Sequence, residues 1–257
     1  MHKGEARMAE SSGIRPGSVA LVTGAGAGLG LRIAERLAER KVKVICAGRR
    51  LDRLEALAKK LGNGAIALKL DVNKDADCAG LIERLPAGHR DIDILINNAG
   101  HDVGGRKRFD QGKIEDFVNT LETNVVGLVR VAHAVLPQMV KRNIGDVVNL
   151  GSIAGWRPYP TGQIYAASKA FVRVFTDGLR LDYKDNDIRI MEMLPGITRT
   201  EFAASRFGGD AVHGDAYYKK FPHVMEPDDI ARGVIYALDQ PRSVTVAQML
   251  VLPTRDL

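Results

Sequence analysis

The chain has 257 residues, of which 45% are hydrophobic, 26% charged and 5% aromatic, a composition typical of an ordinary globular protein. Its opening residues lack the apolar segment of a secretory signal, and no apolar run approaches the ~20 residues that a membrane helix needs. The net charge of +6 suits an anionic ligand, but basic and acidic residues are interleaved along the chain, which argues against nucleic acid as a partner.

The first segment, residues 1–17, is expected to be a disordered tail, and residues 18–257 are expected to form a single domain because no linker or repeat interrupts them. The two cysteines, Cys46 and Cys78, form neither a CxxC motif nor a zinc spacing. We interpret them as buried or half-buried thiols of a protein in the reducing cytoplasm. No grouping of His, Asp and Glu has the spacing of metal ligands, so no metal is expected.

Short apolar runs alternate with amphipathic segments along the domain. The runs are rich in Val, Ile and Leu with little polar alternation, which is typical of strands buried on both faces. This alternation predicts an α/β fold, a single-domain Rossmann-type doubly wound sheet of about seven mostly parallel strands with helices on both faces. The expected strands are 19–23, 42–47, 65–70, 93–97, 146–150, 188–194 and 248–252.

The segments between these runs show three features that bear on the fold. The stretch "DADCAGLIERL", residues 75–85, has a helical pattern. A longer amphipathic stretch, from about residue 114 to residue 140, predicts a long helix. The least regular region, residues 197–227, combines clustered glycines with aromatic residues, and it is either a mobile lid over a pocket or an ordinary surface excursion.

A glycine-rich turn, "TGAGAGLG", follows the first predicted strand. Its glycines are Gly24, Gly28 and Gly30, and Leu29 occupies the position of the last glycine in the usual G-x-G-x-x-G pattern. Glycines permit a tight turn and close backbone approach, and the following helix offers free N–H groups to a pyrophosphate. The turn therefore predicts a dinucleotide site, with a tight turn that binds no ligand as the alternative.

The residues after the second predicted strand indicate which dinucleotide binds. A site for NAD usually has an acid here to hold the ribose 2′-hydroxyl, but this chain has Gly48 followed by Arg49 and Arg50. Two guanidinium groups would bind a 2′-phosphate through forked, charge-assisted hydrogen bonds. We therefore favour NADP(H), with NAD(H) possible; the alternative is that both arginines are simply solvated.

The stretch "IYAASKA" places Tyr165 and Lys169 four residues apart, on one face of a predicted helix of about residues 163–184. A free tyrosine has a pKa of ~10 and is a poor base near neutrality. A positive charge ~4 Å away is worth about 4 kcal/mol at an effective dielectric of 20, or roughly three pKa units. The lysine is thus predicted to bring the phenol near neutral pH, as an acid–base catalyst requires.

Two further strand ends support a site around Tyr165. Ser152 follows the predicted strand 146–150, and its hydroxyl could hold a substrate oxygen. The segment "NNAG", residues 97–100, ends another predicted strand. Because open α/β sheets bind ligands at the carboxyl ends of their strands, both segments are expected to line the same crevice.

In this combination and order, the motifs resemble those of the short-chain dehydrogenase/reductase family, over about residues 18–253. The residues that carry the resemblance are Gly24, Gly28, Gly30, Asn97, Asn98, Ala99, Gly100, Asn124, Ser152, Tyr165, Lys169, Pro195 and Gly196.

The resemblance implies roles for four catalytic residues. Tyr165 would be the general acid–base, and Lys169 would lower its pKa and hold the nicotinamide ribose. Ser152 would orient and polarise the carbonyl group of the substrate. Asn124 would hold a water molecule in a proton relay with Lys169.

The resemblance also implies a set of cofactor contacts. Asp71 and Val72 would lie beside the adenine, while Ile197 and Thr198 would meet the nicotinamide carboxamide. The remaining cofactor residues would be Gly24, Gly28, Leu29, Gly30, Arg49, Arg50, Asn98, Ala99, Gly100, Tyr165, Lys169, Pro195 and Gly196.

Members of the family usually form homodimers or homotetramers through two long helices, here about residues 114–140 and 163–184. On the second helix, the apolar stripe from Ala167 to Gly178 fits such an interface, and equally a core face.

Within the family, the segments "AGRRLDRLEAL" and "MLPGITRTEF" look closest to NADP-dependent 3-hydroxy acid dehydrogenases. That branch also acts on serine and similar hydroxy amino acids and includes reductases of small sulfonated aldehydes. The chain departs from the branch after "NNAG", where a charged loop that begins at His101 and Asp102 replaces apolar residues.

The substrate is therefore expected to be a small polar alcohol or carbonyl compound. Arg157, Arg199 or Arg206 could hold a carboxylate or sulfonate, although each is interpreted individually as a solvated surface residue, and His101 as a loop residue without a role. The alternatives are a 3-oxoacyl-thioester reductase, a dehydrogenase of polyols, sugars or steroids, and an NADP-binding regulator without catalysis.

Overall fold

The structure is a computed structural model that describes residues 13–255. Residues 1–12 of the expected tail lie outside the described residues, and the prediction for them remains a prediction. Within residues 13–17, Ile14 is buried with 4% of its surface exposed and belongs to the core.

The described chain contains a seven-stranded sheet in which all neighbouring strands are parallel, in the order β3-β2-β1-β4-β5-β6-β7. This confirms the doubly wound fold expected from the apolar runs. The strands are β1 (Val19–Thr23), β2 (Lys43–Gly48), β3 (Ile66–Lys69), β4 (Ile94–Asn97), β5 (Gly145–Leu150), β6 (Ile188–Pro195) and β7 (Gln248–Val251).

Helices connect the strands, and two of the connections differ from the sequence prediction. The helices are α1 (Gly28–Glu39), α2 (Leu51–Leu61), α3 (Asp75–Ala79), α4 (Ile114–Leu121), α5 (Leu128–Arg142), α6 (Gln163–Asp182), α7 (Phe202–Arg206), α8 (Ala211–Tyr218) and α9 (Pro227–Leu238).

The helix expected over residues 75–85 ends at Ala79, at a glycine, and turns follow it. In these turns Leu81 and Leu85 are buried, so tertiary packing rather than helical periodicity explains their spacing. The long helix expected from residue 114 is interrupted by a π-helical segment, Glu122–Gly127, between α4 and α5.

Two apolar cores cover the two faces of the sheet. On one face, the strands pack against α1, α2 and α9 through residues such as Ile33, Leu54 and Val234. On the other face, they pack against α5 and α6 through residues such as Val135 and Phe175. Burial on both faces explains why the strand sequences show little polar alternation.

The chain reverses its strand order between β1 and β4, which are neighbours in the sheet. The connections after these two strands leave in opposite directions, which opens a crevice at their carboxyl ends. The less regular region, residues 197–227, lies over this crevice and contains α7 and α8, held by a small apolar cluster of Ala203, Tyr217 and Tyr218. No helix within residues 13–255 is both long enough and apolar enough to cross a membrane.

Candidate active site

A cleft of about 910 Å³ lies at the carboxyl edge of the sheet, where the strand ends and the region 197–227 surround it. The structure brings most of the predicted site residues to its wall. Those that line it are Gly24, Gly28, Leu29, Arg49, Arg50, Asp71, Val72, Asn98, Ala99, Gly100, Ser152, Tyr165, Lys169, Pro195, Gly196, Ile197 and Thr198.

The glycine turn joins β1 to α1 in a conformation that requires glycine. Gly24 and Gly28 have φ values of +66° and +56°, a region that side chains with a Cβ rarely adopt. A Cβ on Gly30 would lie 2.5 Å from the Gly24 carbonyl oxygen, so Gly30 supports the turn from beneath rather than lining the cleft. Ala27 caps α1 without a side-chain hydrogen bond, which leaves the first N–H groups of the helix available to an anion.

Thr23, which was not predicted as a site residue, fixes the glycine turn to the "NNAG" loop. Its hydroxyl accepts hydrogen bonds from the backbone N–H groups of Asn98 and Ala99, each at 3.0 Å. The Asn98 side chain in turn donates to the Thr23 carbonyl oxygen at 2.9 Å. A hydroxyl residue at the end of β1, directly before the glycines, is the sequence signal that could have indicated this role.

Arginine side chains form one end of the cleft, beside the end of β2. Arg53, which was also not predicted, lies there with Arg49 and Arg50, one helical turn beyond Arg50. Arg50 and Arg53 both donate hydrogen bonds to the Glu201 carboxylate, at 3.1 and 2.8 Å. Since Glu201 precedes α7, these bonds connect the arginines to the region that covers the cleft.

Asn124 does not line the cleft but lies in the π-helical segment behind its wall, with 1% of its surface exposed. Its Oδ1 accepts a hydrogen bond from the His101 backbone N–H at 2.9 Å, and its Nδ2 donates to the His101 carbonyl oxygen at 2.9 Å and to Ser168 Oγ at 3.1 Å. The side chain therefore fixes the loop after "NNAG" to α6. Single π-helical turns within α-helices often occur at functional sites.

Tyr165 and Lys169 project from the first turns of α6 onto the same wall as Ser152. Lys169 Nζ lies 5.8 Å from the centre of the Tyr165 ring, and it donates a hydrogen bond to the Leu150 carbonyl oxygen at 2.6 Å. Phe202 of α7 packs against Tyr165 from the other side, with ring centres 5.3 Å apart. The helical spacing thus places the phenol and the ammonium side by side, as the sequence predicts.

The prediction that the lysine brings the phenol near neutral pH is wrong for the protein chain alone. Burial raises the pKa of Tyr165 above its usual value, while a hydrogen bond with Ser152 lowers it. Burial also lowers the pKa of Lys169 to about 8. The predicted fall in the pKa of Tyr165 assumed that the ammonium lies ~4 Å from the phenol. It also left out the cost of burying both groups, which opposes their charged forms.

Ser152 follows β5 in an extended conformation, with φ of −171°. Its Oγ accepts a hydrogen bond from the Ala154 backbone N–H at 3.1 Å, which begins a short 3₁₀ helix. Its hydroxyl is fixed in this way and is also hydrogen-bonded to Tyr165, so the two hydroxyl groups lie together on the wall of the cleft.

Another part of the cleft wall carries a buried ion pair. Arg206 Nε donates to Asp102 Oδ2 at 2.7 Å, and only 3% of the Arg206 surface is exposed. The interpretation of Arg206 as a solvated arginine is therefore wrong, whereas Arg199 is half-exposed and pairs with Glu226. Arg206 Nη1 is buried with no hydrogen-bond partner among the described residues.

Aromatic rings surround this ion pair. The Arg206 guanidinium lies 5.0 Å from the centre of the Tyr217 ring, and Arg106 lies 4.5 Å from that of Tyr159. His101 lies on the cleft wall, where burial lowers its pKa and its Nε2 is 3.1 Å from the Asn119 carbonyl oxygen. The charged loop after "NNAG" thus forms part of the pocket.

Cys46 and Cys78 are both free and buried, and burial raises the pKa of the Cys46 thiol to about 12. Across residues 13–255, no three His, Cys, Asp or Glu side chains are grouped as metal ligands would be.

The chain is similar to known proteins over most of its length. The sequence profile of the family described as short chain dehydrogenase matches residues 18–210. An NADP-dependent 3-hydroxy acid dehydrogenase of Schizosaccharomyces pombe is 41% identical over 243 residues, which cover 93% of each chain. A serine 3-dehydrogenase of Agrobacterium fabrum is 37% identical, over 91% of this chain and 92% of the relative.

A solved structure, the closed form of a serine dehydrogenase complexed with NADP+, has a TM-score of 0.90 with this chain. Its sequence is 37% identical, and the alignment covers 93% of this chain and 96% of that chain.

Proposed function

The chain belongs to the short-chain dehydrogenase family, and we propose that it transfers a hydride between NADP(H) and the alcohol or carbonyl group of a small polar substrate. One observation supports the proposal most directly. Ser152, Tyr165 and Lys169 line the same cleft as the glycine turn. The substrate class is a 3-hydroxy acid, a hydroxy amino acid or a related compound, in line with the relatives' named activities.

The cleft fits a dinucleotide, because each part of the cofactor has a counterpart in the chain. The positive-φ glycines of the turn and the open N-terminus of α1 would hold the pyrophosphate. Arg49 and Arg50, with Arg53 beside them, would hold a 2′-phosphate, and no acid stands at the end of β2 to hold the ribose hydroxyl of NAD. NADP(H) is therefore the preferred cofactor.

The side chains around Tyr165 account for the proton transfer. Tyr165 would take the proton of an alcohol or give one to a carbonyl oxygen, while Ser152 holds that oxygen by a hydrogen bond. The Lys169 ammonium would favour the ionised phenol through its charge once the site is loaded, and it would hold the nicotinamide ribose. When bound, the nicotinamide supplies or accepts the hydride and, in its oxidised form, adds a positive charge.

Arg206 and Arg106 support an acidic substrate. Arg206 is buried in the cleft wall, where its Nη1 makes no hydrogen bond to any residue that the structure describes, and Arg106 lies nearby over Tyr159. A carboxylate that reached this end of the pocket would gain a charge-assisted hydrogen bond that a neutral alcohol could not make. The partial neutralisation of Arg206 by Asp102 favours a single anionic group over a highly charged substrate.

The alternative functions predict different substrates. A 3-oxoacyl-thioester reductase would act on carrier-bound ketones, and a polyol, sugar or steroid dehydrogenase would act on neutral alcohols. An NADP-binding regulator would bind the cofactor without turnover. The combination of Asn124, Ser152, Tyr165 and Lys169 disfavours the regulator, since binding alone does not require all four side chains.

The assembly and the location also follow as proposals. Part of the stripe on α6 is exposed, with Val174 at 62% and Phe171 at 37%, while Phe175 packs against the core, and α4 exposes Ile114 at 62%. Apolar side chains exposed on adjacent helices favour an interface between copies of this chain. The protein would be a homodimer or homotetramer of the cytoplasm, where its two free cysteines would remain reduced.

A cofactor-reduction assay tests the proposed function. NADP+ and NAD+ are compared with serine, allo-threonine, 3-hydroxybutyrate, 3-hydroxyisobutyrate, a hydroxy-sulfonate, polyols and a simple secondary alcohol. We expect turnover of the hydroxy acids with NADP+ and much less with NAD+. Activity on the neutral alcohols alone would support the proposed hydride transfer but would exclude hydroxy acids as the substrate class.

A further inference from the structure

A row of polar side chains crosses four neighbouring strands at one register. Asn97 of β4 is paired with Asn149 of β5, Asn149 with Glu192 of β6, and Glu192 with Gln248 of β7. Residues at the same register project from the same face of a sheet. Here they project beneath α6, because Asn149 Nδ2 donates to Thr176 Oγ1 at 2.9 Å.

Glu192 is the one carboxylate of this row, and only 1% of its surface is exposed. Its Oε2 accepts a hydrogen bond from Gln248 Nε2 at 3.0 Å. Its Oε1 is buried with no hydrogen-bond partner among the described residues. This oxygen lies close to Gly151, because a Cβ atom added at Gly151 would be only 2.1 Å from Oε1. The absence of a side chain at Gly151 therefore creates the space for the carboxylate.

This position places Glu192 directly behind the active-site wall. Gly151 lies between Leu150, whose carbonyl oxygen accepts the Lys169 hydrogen bond at 2.6 Å, and Ser152. Lys169 is itself buried, with 7% of its surface exposed. A buried ammonium that donates only to a neutral carbonyl is costly unless an opposite charge lies nearby.

Arg180 of α6 lies near Glu192, because its Nη1 and the Glu192 backbone N–H both donate to the Ala247 carbonyl oxygen. The same helix carries three charged groups that act on the Glu192 carboxylate, namely Lys169, Arg173 and Asp177. These residues are four apart along the helix, so they share a face. Within residues 13–255, the register partners of Glu192 on β5 and β7 are the uncharged Asn149 and Gln248, and the uncharged Gly151 that follows β5 lies against its Oε1.

We propose that Glu192 is a positioning residue for Lys169: from beneath α6, its carboxylate keeps the buried ammonium charged and so sets the alkaline limit of the pH range in which Tyr165 works. The inference rests on the proposed function, because it acts through the role given there to Lys169. Among residues 13–255, Glu192 is the acidic group whose charge acts on the Lys169 ammonium.

The electrostatics of the two buried groups agree with this role. Burial raises the pKa of Glu192 to about 7, and the Lys169 charge lowers it. Burial lowers the pKa of Lys169 to about 8, and the Glu192 charge raises it. Between these two values, both groups carry their charges, and each favours the charged form of the other.

The test is to measure the titration of Lys169 itself in Glu192→Gln, which keeps the shape of the side chain and removes its charge. The protein is labelled with ¹³C-lysine, and the ¹³Cε signal of Lys169, assigned by its loss in Lys169→Arg, is followed with pH by NMR. We expect the midpoint to fall by about one pH unit, a tenfold change in the ratio of charged to neutral lysine. The alkaline limb of kcat/KM should fall with it.

Two further variants make the result specific. Glu192→Asp keeps the charge and should restore both the Lys169 midpoint and the alkaline limb towards their wild-type positions. Glu39→Gln, which removes an exposed carboxylate of α1, is the matched control and should change neither. A purely structural role for Glu192 would lower activity equally at every pH and leave the Lys169 midpoint unchanged, which would overturn the proposal.

Wild-type protein alone offers a second measurement, in case Glu192→Gln does not fold. The Lys169 signal should show an additional inflection when Glu192 ionises, and a single inflection would overturn the proposal. Failure of the proposed function is distinguishable, because it would appear as normal turnover in Tyr165→Phe. An unchanged Lys169 titration together with an inactive Tyr165→Phe would reject the role of Glu192 alone.

Discussion

Arg206 and Asp102 form a buried ion pair, at 2.7 Å, between the helix α7 that covers the cleft and the loop that follows "NNAG". The two residues are far apart in the sequence, and each belongs to a segment without strong sequence periodicity. Their contact fixes a guanidinium group in the wall of the cleft, and its Nη1 makes no hydrogen bond within residues 13–255.

Replacing both members of this pair should reduce selectivity for acids. Arg206→Gln combined with Asp102→Asn removes the positive charge without leaving a buried carboxylate unpaired. We expect kcat/KM for a hydroxy acid to fall by about 10- to 100-fold, because a charge-assisted hydrogen bond is worth about 1.5–3 kcal/mol. A simple secondary alcohol should lose far less. The half-exposed Arg199, changed to Gln, is the control, and an equal loss for both substrates would contradict the assignment.

Replacing Arg49 and Arg50 together with Gln should weaken NADPH binding far more than NADH binding. The loss for NADPH should be about 10-fold or more, since the 2′-phosphate loses charge-assisted contacts while the rest of the cleft is retained. Dissociation constants from cofactor fluorescence measure the effect. Arg108→Gln, at a side chain 72% exposed, is the control. If both cofactors weaken equally, the arginines do not hold the 2′-phosphate.

A methyl group at Gly30 should disturb the cofactor turn. In Gly30→Ala the new Cβ would lie 2.4 Å from Asn98 Nδ2 and 2.5 Å from the Gly24 carbonyl oxygen. Such overpacking costs about 1–3 kcal/mol of stability, and NADPH affinity should fall as well. Gly88→Ala, where nothing lies within 4 Å of the added methyl, is the matched control. Thermal unfolding with and without NADPH separates the two effects, and wild-type behaviour of Gly30→Ala would show that the turn tolerates a side chain.

The pH dependence of stability should contain a contribution from Glu192. Burial raises its pKa from 4.5 to about 7 in the folded protein, so the folded state holds this proton more tightly than the unfolded state. The resulting stabilisation is complete below about pH 4.5 and is lost as the pH rises through 7. Relative to Glu192→Gln, the wild type should therefore lose up to about 3 kcal/mol over this window. Urea unfolding at several pH values measures the difference, and parallel curves for the two proteins would contradict it.

Local patterns explain why much of the site was predictable from the sequence. The helical spacing of Tyr165 and Lys169, the glycine turn and the residues that follow β2 are each encoded within a few positions. The seven strands were predictable because burial on both faces leaves continuous apolar runs.

Long-range contacts explain what the sequence did not reveal. Glu192 is set beside Lys169 only by the register of β6 against β5 and by the space at Gly151. Arginine is usually found at the protein surface, but Arg206 is buried because it pairs with Asp102, which lies on a loop distant in the sequence. The pKa of Tyr165 also depends on how deeply the phenol is buried. The four-residue spacing of Tyr165 and Lys169 in the sequence does not reveal that burial.

The most direct test of the central claim is to compare Tyr165→Phe with the wild type in single-turnover reduction of a 3-oxo acid by bound NADPH. Because the phenol hydroxyl is the proposed proton donor, the variant should bind NADPH with near-normal affinity and lose nearly all hydride transfer. If Tyr165→Phe instead reduces the substrate at close to the wild-type rate, Tyr165 is not the acid–base, and the catalytic assignment of this wall is wrong.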